Sequence, residues 1–311
     1  MNSFSEETPR GWLAFELSVL RRLRFRSVAN PLAGEPDLDV YLKRWGARVA
    51  VNDPAQWAWV RGLARVENND ARLTEDDFRV LLEDVYVPHH ALRNPALARW
   101  FGETDAWWFD NYRAAVERLE GETRQALALD LGMSVGDYAL SFDAETRELR
   151  QPLSRALRRI HEASPPPVNN QQVNVSRNTD ARHFVADQHG ELLFLRLPPP
   201  GAAHARHDSL SAWREEWVRN GSDFWAEADA SQAGRFGARA QTRQQYLRFV
   251  EDLLETAGHF KLWAISFAES GYYSTQEMVE LLRRLRRVDT IYTKDFSELT
   301  GARAAIITAS G

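Results

Sequence analysis

The chain contains no cysteine, which excludes disulfides, thiolate metal sites and cysteine nucleophiles. Long apolar runs are missing too. No stretch approaches the roughly 18 residues of a spanning helix, and the opening MNSFSEETPRGW has neither a basic n-region nor an apolar h-region. No membrane partner is therefore expected, and a cytoplasmic location is the default. Positive charge is not in excess, since the formal net charge is -5. That argues against a globally basic nucleic-acid binder and leaves only local basic faces. No G-x-S-x-G, Walker loop or H-E-x-x-H occurs, which disfavours hydrolase, nucleotidase and zinc-protease chemistry. No repeat of fixed period is visible.

What is present is a composition able to bury a core: 311 residues, 44% of them hydrophobic, with 11 tryptophans. That length suits one large or two modest domains. The segment FRSVANPLAGEPDLDVYLKRWGARVAVNDP reads as a short strand, a Pro/Gly turn, a helix stopped at Gly46, and a second strand followed by an acid. Leu38, Tyr41, Leu42 and Trp45 recur at three- and four-residue spacing, giving that helix one apolar stripe. From Pro54 to about Ala163 the pattern turns helical, with Thr74 and Asp77 spaced as a capping box. SPPPVNNQQ, residues 164–172, reads as a linker because its prolines cannot continue a helix.

Strand and helix signals then alternate to the end: QQVNVSRNTDARHFVADQ, ELLFLRLPPP, TRQQYLRFVEDLLETAG, FKLWAISFAESG, STQEMVELLRRL and ARAAIITAS. The expected fold is α/β, a doubly wound and mostly parallel sheet interrupted in sequence by a helical insertion. The expected divisions are residues 1–54 and 173–311 for the two parts of the α/β domain, 55–163 for the insertion and 164–172 for the linker.

Five segments, in order, resemble the Dam-like class of DNA adenine methyltransferases: NPLAGEP, VND, WWFDNYRAAVERLEGETRQALAL, NTDARHF and FLRLPPP. The likeness runs from about Phe25 to Ser310 and includes FKLWAISFAESGYYSTQEMVELLRRL. It implies a methyltransferase-type α/β sheet, S-adenosylmethionine as cofactor and DNA as partner. It also implies that Pro31, Leu32, Ala33 and Gly34 form the cofactor turn, although Pro36 stands where the family has a second glycine and so fixes φ and removes an N–H. Asp53 then stands where the family's acid accepts the ribose hydroxyls, and Asp180 where its acid meets the cofactor's adenine. Leu197, Pro198, Pro199 and Pro200 occupy the catalytic D-P-P-Y positions.

In that motif the Asp and a proline carbonyl accept hydrogen bonds from the amine of a flipped-out base, and the Tyr stacks on its ring. Leu197 has no acceptor and Pro200 offers little flat surface. Losing one preorganised group of this kind costs about 2.7–4 kcal/mol in other enzymes. The expectation is a family member with impaired catalysis and weak cofactor binding. The alternatives are an active enzyme with a substitute acid, Glu269 or Asp208, and a non-enzymatic DNA- or protein-binding pseudo-methyltransferase.

Each residue also has a plainer reading. Asp53 can cap a turn, Gly34 can serve any turn, Asp180 can make an Asx-turn, and PPP can be a polyproline loop. Basic runs at Arg21–Arg26, Arg155–His161 and Arg283–Arg287 could meet phosphate or be solvated helix faces. His204, His207 and Asp208 are spaced without a helix to fix them as metal ligands. His89 and His90 read as a surface turn, and Trp107, Trp108, Trp213 and Trp217 as core.

Overall fold

A computed structural model describes residues 11–143, 145–198, 211–238, 240–269, 273–296 and 303–311. Pro199, Pro200, His204, His207 and Asp208 lie outside the described residues.

The chain opens with α1 (Trp12–Leu20), β1 (Ser27–Asn30), α2 (Asp37–Arg44) and β2 (Arg48–Asn52). Helices follow: α3 (Gln56–Gly62), which runs on as one π turn, then α4 (Glu75–Leu82), α5 (Leu97–Trp100), α6 (Glu103–Val116), α7 (Glu122–Leu140) and α8 (Leu153–Ala163). The second half holds β3 (Val175–Arg177), α9 (Ala181–Asp187), β4 (Leu192–Arg196), α10 (Ala212–Val218), α11 (Trp225–Gln232) and α12 (Arg243–Thr256). It closes with β5 (Leu262–Ala268), α13 (Thr275–Leu285), β6 (Arg287–Asp295) and β7 (Arg303–Ser310).

The strands form one seven-stranded sheet in the order β3-β2-β1-β4-β5-β7-β6. β7 runs antiparallel to both neighbours, and the other pairings are parallel. Alternation assigns the two faces. Leu193 and Leu195 join Phe184, Val250, Leu254 and Leu282 from α9, α12 and α13. Leu192 and Phe194 join Trp12, Phe15, Leu38 and Leu42 from α1 and α2. With both faces covered, β4 reads as a continuous apolar run.

A third core lies among α3–α8 and admits Trp213 and Trp217 of α10, so a helix from the second half completes the helical insertion. The two indoles lie against Gly136 and Gly132 of α7. A Cβ built there would sit 2.1 Å from Trp213 and 2.3 Å from Trp217. Both residues and Trp108 are fully buried, as core tryptophans should be, whereas Trp107 is half-buried and His89 and His90 are exposed.

The local signals hold in detail. Thr74 and Asp77 cap each other at the start of α4, Ser274 and Glu277 do the same for α13, and Gly46 takes φ +85° after α2. ALARWFGETDAWWFDNYRAAVERLEG, which reads as one helix, divides into α5 and α6, with Phe101 extended and Gly102 as the cap. β6 has no apolar run to betray it, because most of its residues are exposed at the sheet edge. Pairing with β7 holds it.

Candidate functional site

The strand order reverses between β1 and β4, and in open parallel sheets ligands bind in the crevice outside the carboxyl ends at that point. The turn from Pro31 to Pro36 leaves β1 there, Asp53 follows β2, Asp180 follows β3, and Leu197 and Pro198 follow β4. The sheet therefore brings the described candidate residues to one edge. It also engages each polar group among them.

Gly34 takes φ +54° with open space at its missing Cβ, and its N–H donates to Asp53 Oδ2 at 2.9 Å. Asp53 Oδ1 accepts from Ala55 N–H at 2.8 Å. Asn52, which the sequence reading passed over, ties the turns together. Its Nδ2 donates to the carbonyls of Pro31 and Thr179, each at 3.0 Å, and its Oδ1 accepts from Thr179 N–H at 3.0 Å. An amide at the end of a buried strand is the signal that could have found it. Asp180 is the N-cap of α9, accepting from the N–H groups of Arg182 and His183, and it pairs with Arg235 at 3.6 Å.

Leu197 is 5% exposed and belongs to the core on the α9/α12/α13 face. Its N–H extends the β4–β5 ladder to Ser266 O at 2.8 Å. The Pro198 carbonyl accepts the Tyr246 hydroxyl at 2.8 Å, and the Tyr246 ring stacks on Tyr273 at 5.1 Å. Burial pushes the Tyr246 phenol well above its ordinary pKa, so it is a donor at neutral pH. Glu269, the described candidate for a substitute acid, accepts from Thr275 N–H at the start of α13. Hydrogen bonding to Thr275, through its side chain first and its backbone N–H second, holds its pKa below the usual glutamate range.

Two ionic groups flank the edge. Glu35, in the turn after β1, pairs with Arg61 and with Arg214, the latter at 2.8 Å. Both arginines also reach Asp137, and both lie over the Trp57 ring. Arg61 is buried, which pushes its pKa down to about 10. Neighbouring Asp130 is raised by burial but lowered more by Arg65 and Arg61, and it stays below the usual range. This network ties the turn after β1 to α3, α7 and α10.

On the α1/α2 face, fully buried Glu16 accepts four hydrogen bonds: from Trp12 Nε1 (2.8 Å), Arg196 Nε (3.0 Å), Arg196 Nη2 (2.6 Å) and Ser266 Oγ (2.7 Å). Beside it, Asn30 Nδ2 donates to the two Asp39 oxygens at 3.1 and 3.3 Å, and burial raises the Asp39 pKa to about 7. Glu16 is the lone charge in WLAFELSVL, which was its visible signal.

As a set, these residues do not form a ready S-adenosylmethionine site. The turn N–H that would meet the ligand carboxylate already bonds Asp53, and Asp180 is engaged as a helix cap and an ion pair. Among the described residues at the β4 end, Leu197 has no side-chain acceptor and the Pro198 carbonyl already accepts from Tyr246. Concavities of about 560 and 210 Å³ lie elsewhere, lined by Ser154, Arg155, Arg158 and Arg159 in one case and by Phe101, Asp105, Phe142 and Arg150 in the other.

The basic runs separate. Arg284 pairs with Glu251, Arg287 with Asp289, and Arg286 donates to the Phe260 and Gly258 carbonyls. Arg158 pairs with Glu75. Arg21–Arg26 connects α1 to β1 at the opposite, amino edge of the sheet.

No protein-family model and no curated protein matches the chain. No helix among the described residues is long and apolar enough to cross a membrane.

Proposed function

We propose that the chain is a member of the Dam-like class of DNA adenine methyltransferases that has lost methyl transfer and persists as a non-enzymatic binding protein. The order of motifs along the sequence supports the membership. So does their meeting at the carboxyl edge of a doubly wound sheet whose order reverses between β1 and β4. One observation carries the loss of activity: Leu197, at the position of the catalytic acid, is packed into the core beside a Pro198 carbonyl already bonded to Tyr246. A base amine brought there would meet no side-chain acceptor at Leu197 and would compete with Tyr246 for the Pro198 carbonyl.

S-adenosylmethionine is expected to bind weakly, because it must displace the Gly34–Asp53 bond and compete for Asp180. DNA remains the partner that the resemblance implies. The test is transfer of labelled methyl from S-adenosylmethionine to adenine in duplex DNA, run beside a calorimetric titration of the cofactor. The expected result is no transfer above background and weak or no heat of binding. Robust transfer by the unmodified protein would overturn the reading.

A further inference from the structure

An exposed cluster of arginines lies at the other edge of the sheet. Six of the seven strands point the same way, so residues just before β1 and β2 sit at the amino edge, away from the crevice. There α1 ends in Arg21 and Arg22, the connection to β1 carries Arg24 and Arg26, and α2 ends in Arg44 and Trp45. These arginines are exposed. Unlike those near Arg284, none of their guanidiniums is in an ion pair among the described residues.

Aromatic rings alternate with them. Arg21 lies 5.3 Å from the Trp45 ring centre, Arg44 5.3 Å from Tyr41 and Arg22 5.4 Å from Tyr292 on β6. Trp45 is 37% and Tyr41 38% exposed, whereas Tyr292 is half-buried against the α1/α2-face core. Core packing does not account for the exposed faces of Trp45 and Tyr41, and a guanidinium over an exposed ring contributes only about 0.5–1 kcal/mol.

We propose that this stripe, running from the end of α2 across the end of α1, binds single-stranded nucleic acid. Bases stack on Trp45 and Tyr41, and the arginines neutralise the phosphates between them. Stacking on a flat ring needs an unpaired base, and sequence-tolerant binding by rings set in a cationic track is how single strands are held. A chain of net charge -5 attracts a polyanion only locally, so binding concentrates where acids are sparse. The site is independent of the methyltransferase reading, since it shares no residue with the carboxyl edge and needs no cofactor.

The experiment is fluorescence anisotropy of labelled oligothymidylate and oligouridylate with the full-length chain over a series of salt concentrations. At least one oligonucleotide should bind at low salt, and preference between the two distinguishes DNA from RNA. Trp45→Ala should weaken binding by about 5- to 100-fold, while Trp45→Phe, which keeps a ring, should retain most of it. Combining Arg21→Ala, Arg22→Ala and Arg24→Ala should reduce the slope of log affinity against log salt by about 2. Should Trp45→Ala melt early, the arginine variant carries the same test. Absence of binding by both oligonucleotides overturns the proposal. So does affinity unchanged in a folded Trp45→Ala protein, a salt slope unchanged by the arginine variant, or duplex bound as tightly as single strand. Binding to anionic phospholipid vesicles without binding to either oligonucleotide would assign the stripe to a membrane surface instead and equally overturn it.

Discussion

The hydroxyl of Tyr246 donates to the carbonyl oxygen of Pro198 across 2.8 Å, so a residue of α12 occupies the backbone acceptor at the end of β4. Tyr246→Phe removes that donor while keeping the stack on Tyr273. It should lower stability by about 0.5–1.5 kcal/mol for each hydrogen bond the hydroxyl makes, to Pro198 and to Tyr273. Methyl transfer should stay at background, because the neighbouring side chain is still leucine. Urea melts and the labelled-methyl assay check the two halves.

Leu197→Asp introduces the acid of the proposed family's catalytic motif at a position 5% exposed in the core. It packs in a hydrophobic cluster, so the acid is buried among apolar groups or taken up in its neutral form. The substitution should destabilise the protein by about 3 kcal/mol or more, with the loss growing as pH rises above the aspartate range. A folded, fully stable Leu197→Asp protein would show that this position opens to solvent and would undermine the loss-of-activity argument.

Asp39 provides a pH signature. Its folded pKa, about 7, lies above the ordinary value of 3.8. The unfolded chain therefore releases this proton first as pH rises, and the contribution of Asp39 to stability falls between those two values and is flat above them. Asp39→Asn removes the titration, and its amide can donate to Asn30 Oδ1, which is buried without a hydrogen-bond partner. The variant should gain stability over wild type at pH 8, by at most about 4 kcal/mol, and lose that advantage near pH 4. A wild-type minus variant difference that does not change with pH would refute this account.

Gly136→Ala tests how α10 closes the helical insertion. The added methyl would lie 2.1 Å from the fully buried Trp213 ring, which has no room to retreat within a packed core. Overpacking of this kind costs typically about 1–3 kcal/mol, more than the gain from replacing a helical glycine, which is about 1 kcal/mol. The melting temperature should fall. Gly121→Ala offers a contrast, because space is open there but φ is +86°, so any loss reflects backbone strain alone.

Local chemistry alone made much of this molecule legible. Apolar runs with β-branched and leucine residues became β1, β2, β4, β5 and β7, since strands buried on both faces need no alternation. The pairs Thr74/Asp77 and Ser274/Glu277 became capping boxes because their geometry closes within one turn. Absence of cysteine excluded thiol chemistry outright. Residue identity likewise placed a leucine where an acid would be needed, and no folding can give that side chain an acceptor.

Tertiary structure decided what the remaining polar groups do. Asp53 and Asp180 carry the same carboxylate in any reading, but Asp53 meets the N–H of Gly34, distant in sequence, and Asp180, which caps its own helix locally, meets Arg235 only through the fold. β6 exists because β7 offers it a ladder, and not because its own residues demand a strand. The basic runs looked alike as sequence. Only the fold set Arg284 and Arg287 against acids and left Arg21 and Arg22 against aromatic rings, because charge pairing is settled by distance in space, while a sequence specifies only distance along the chain.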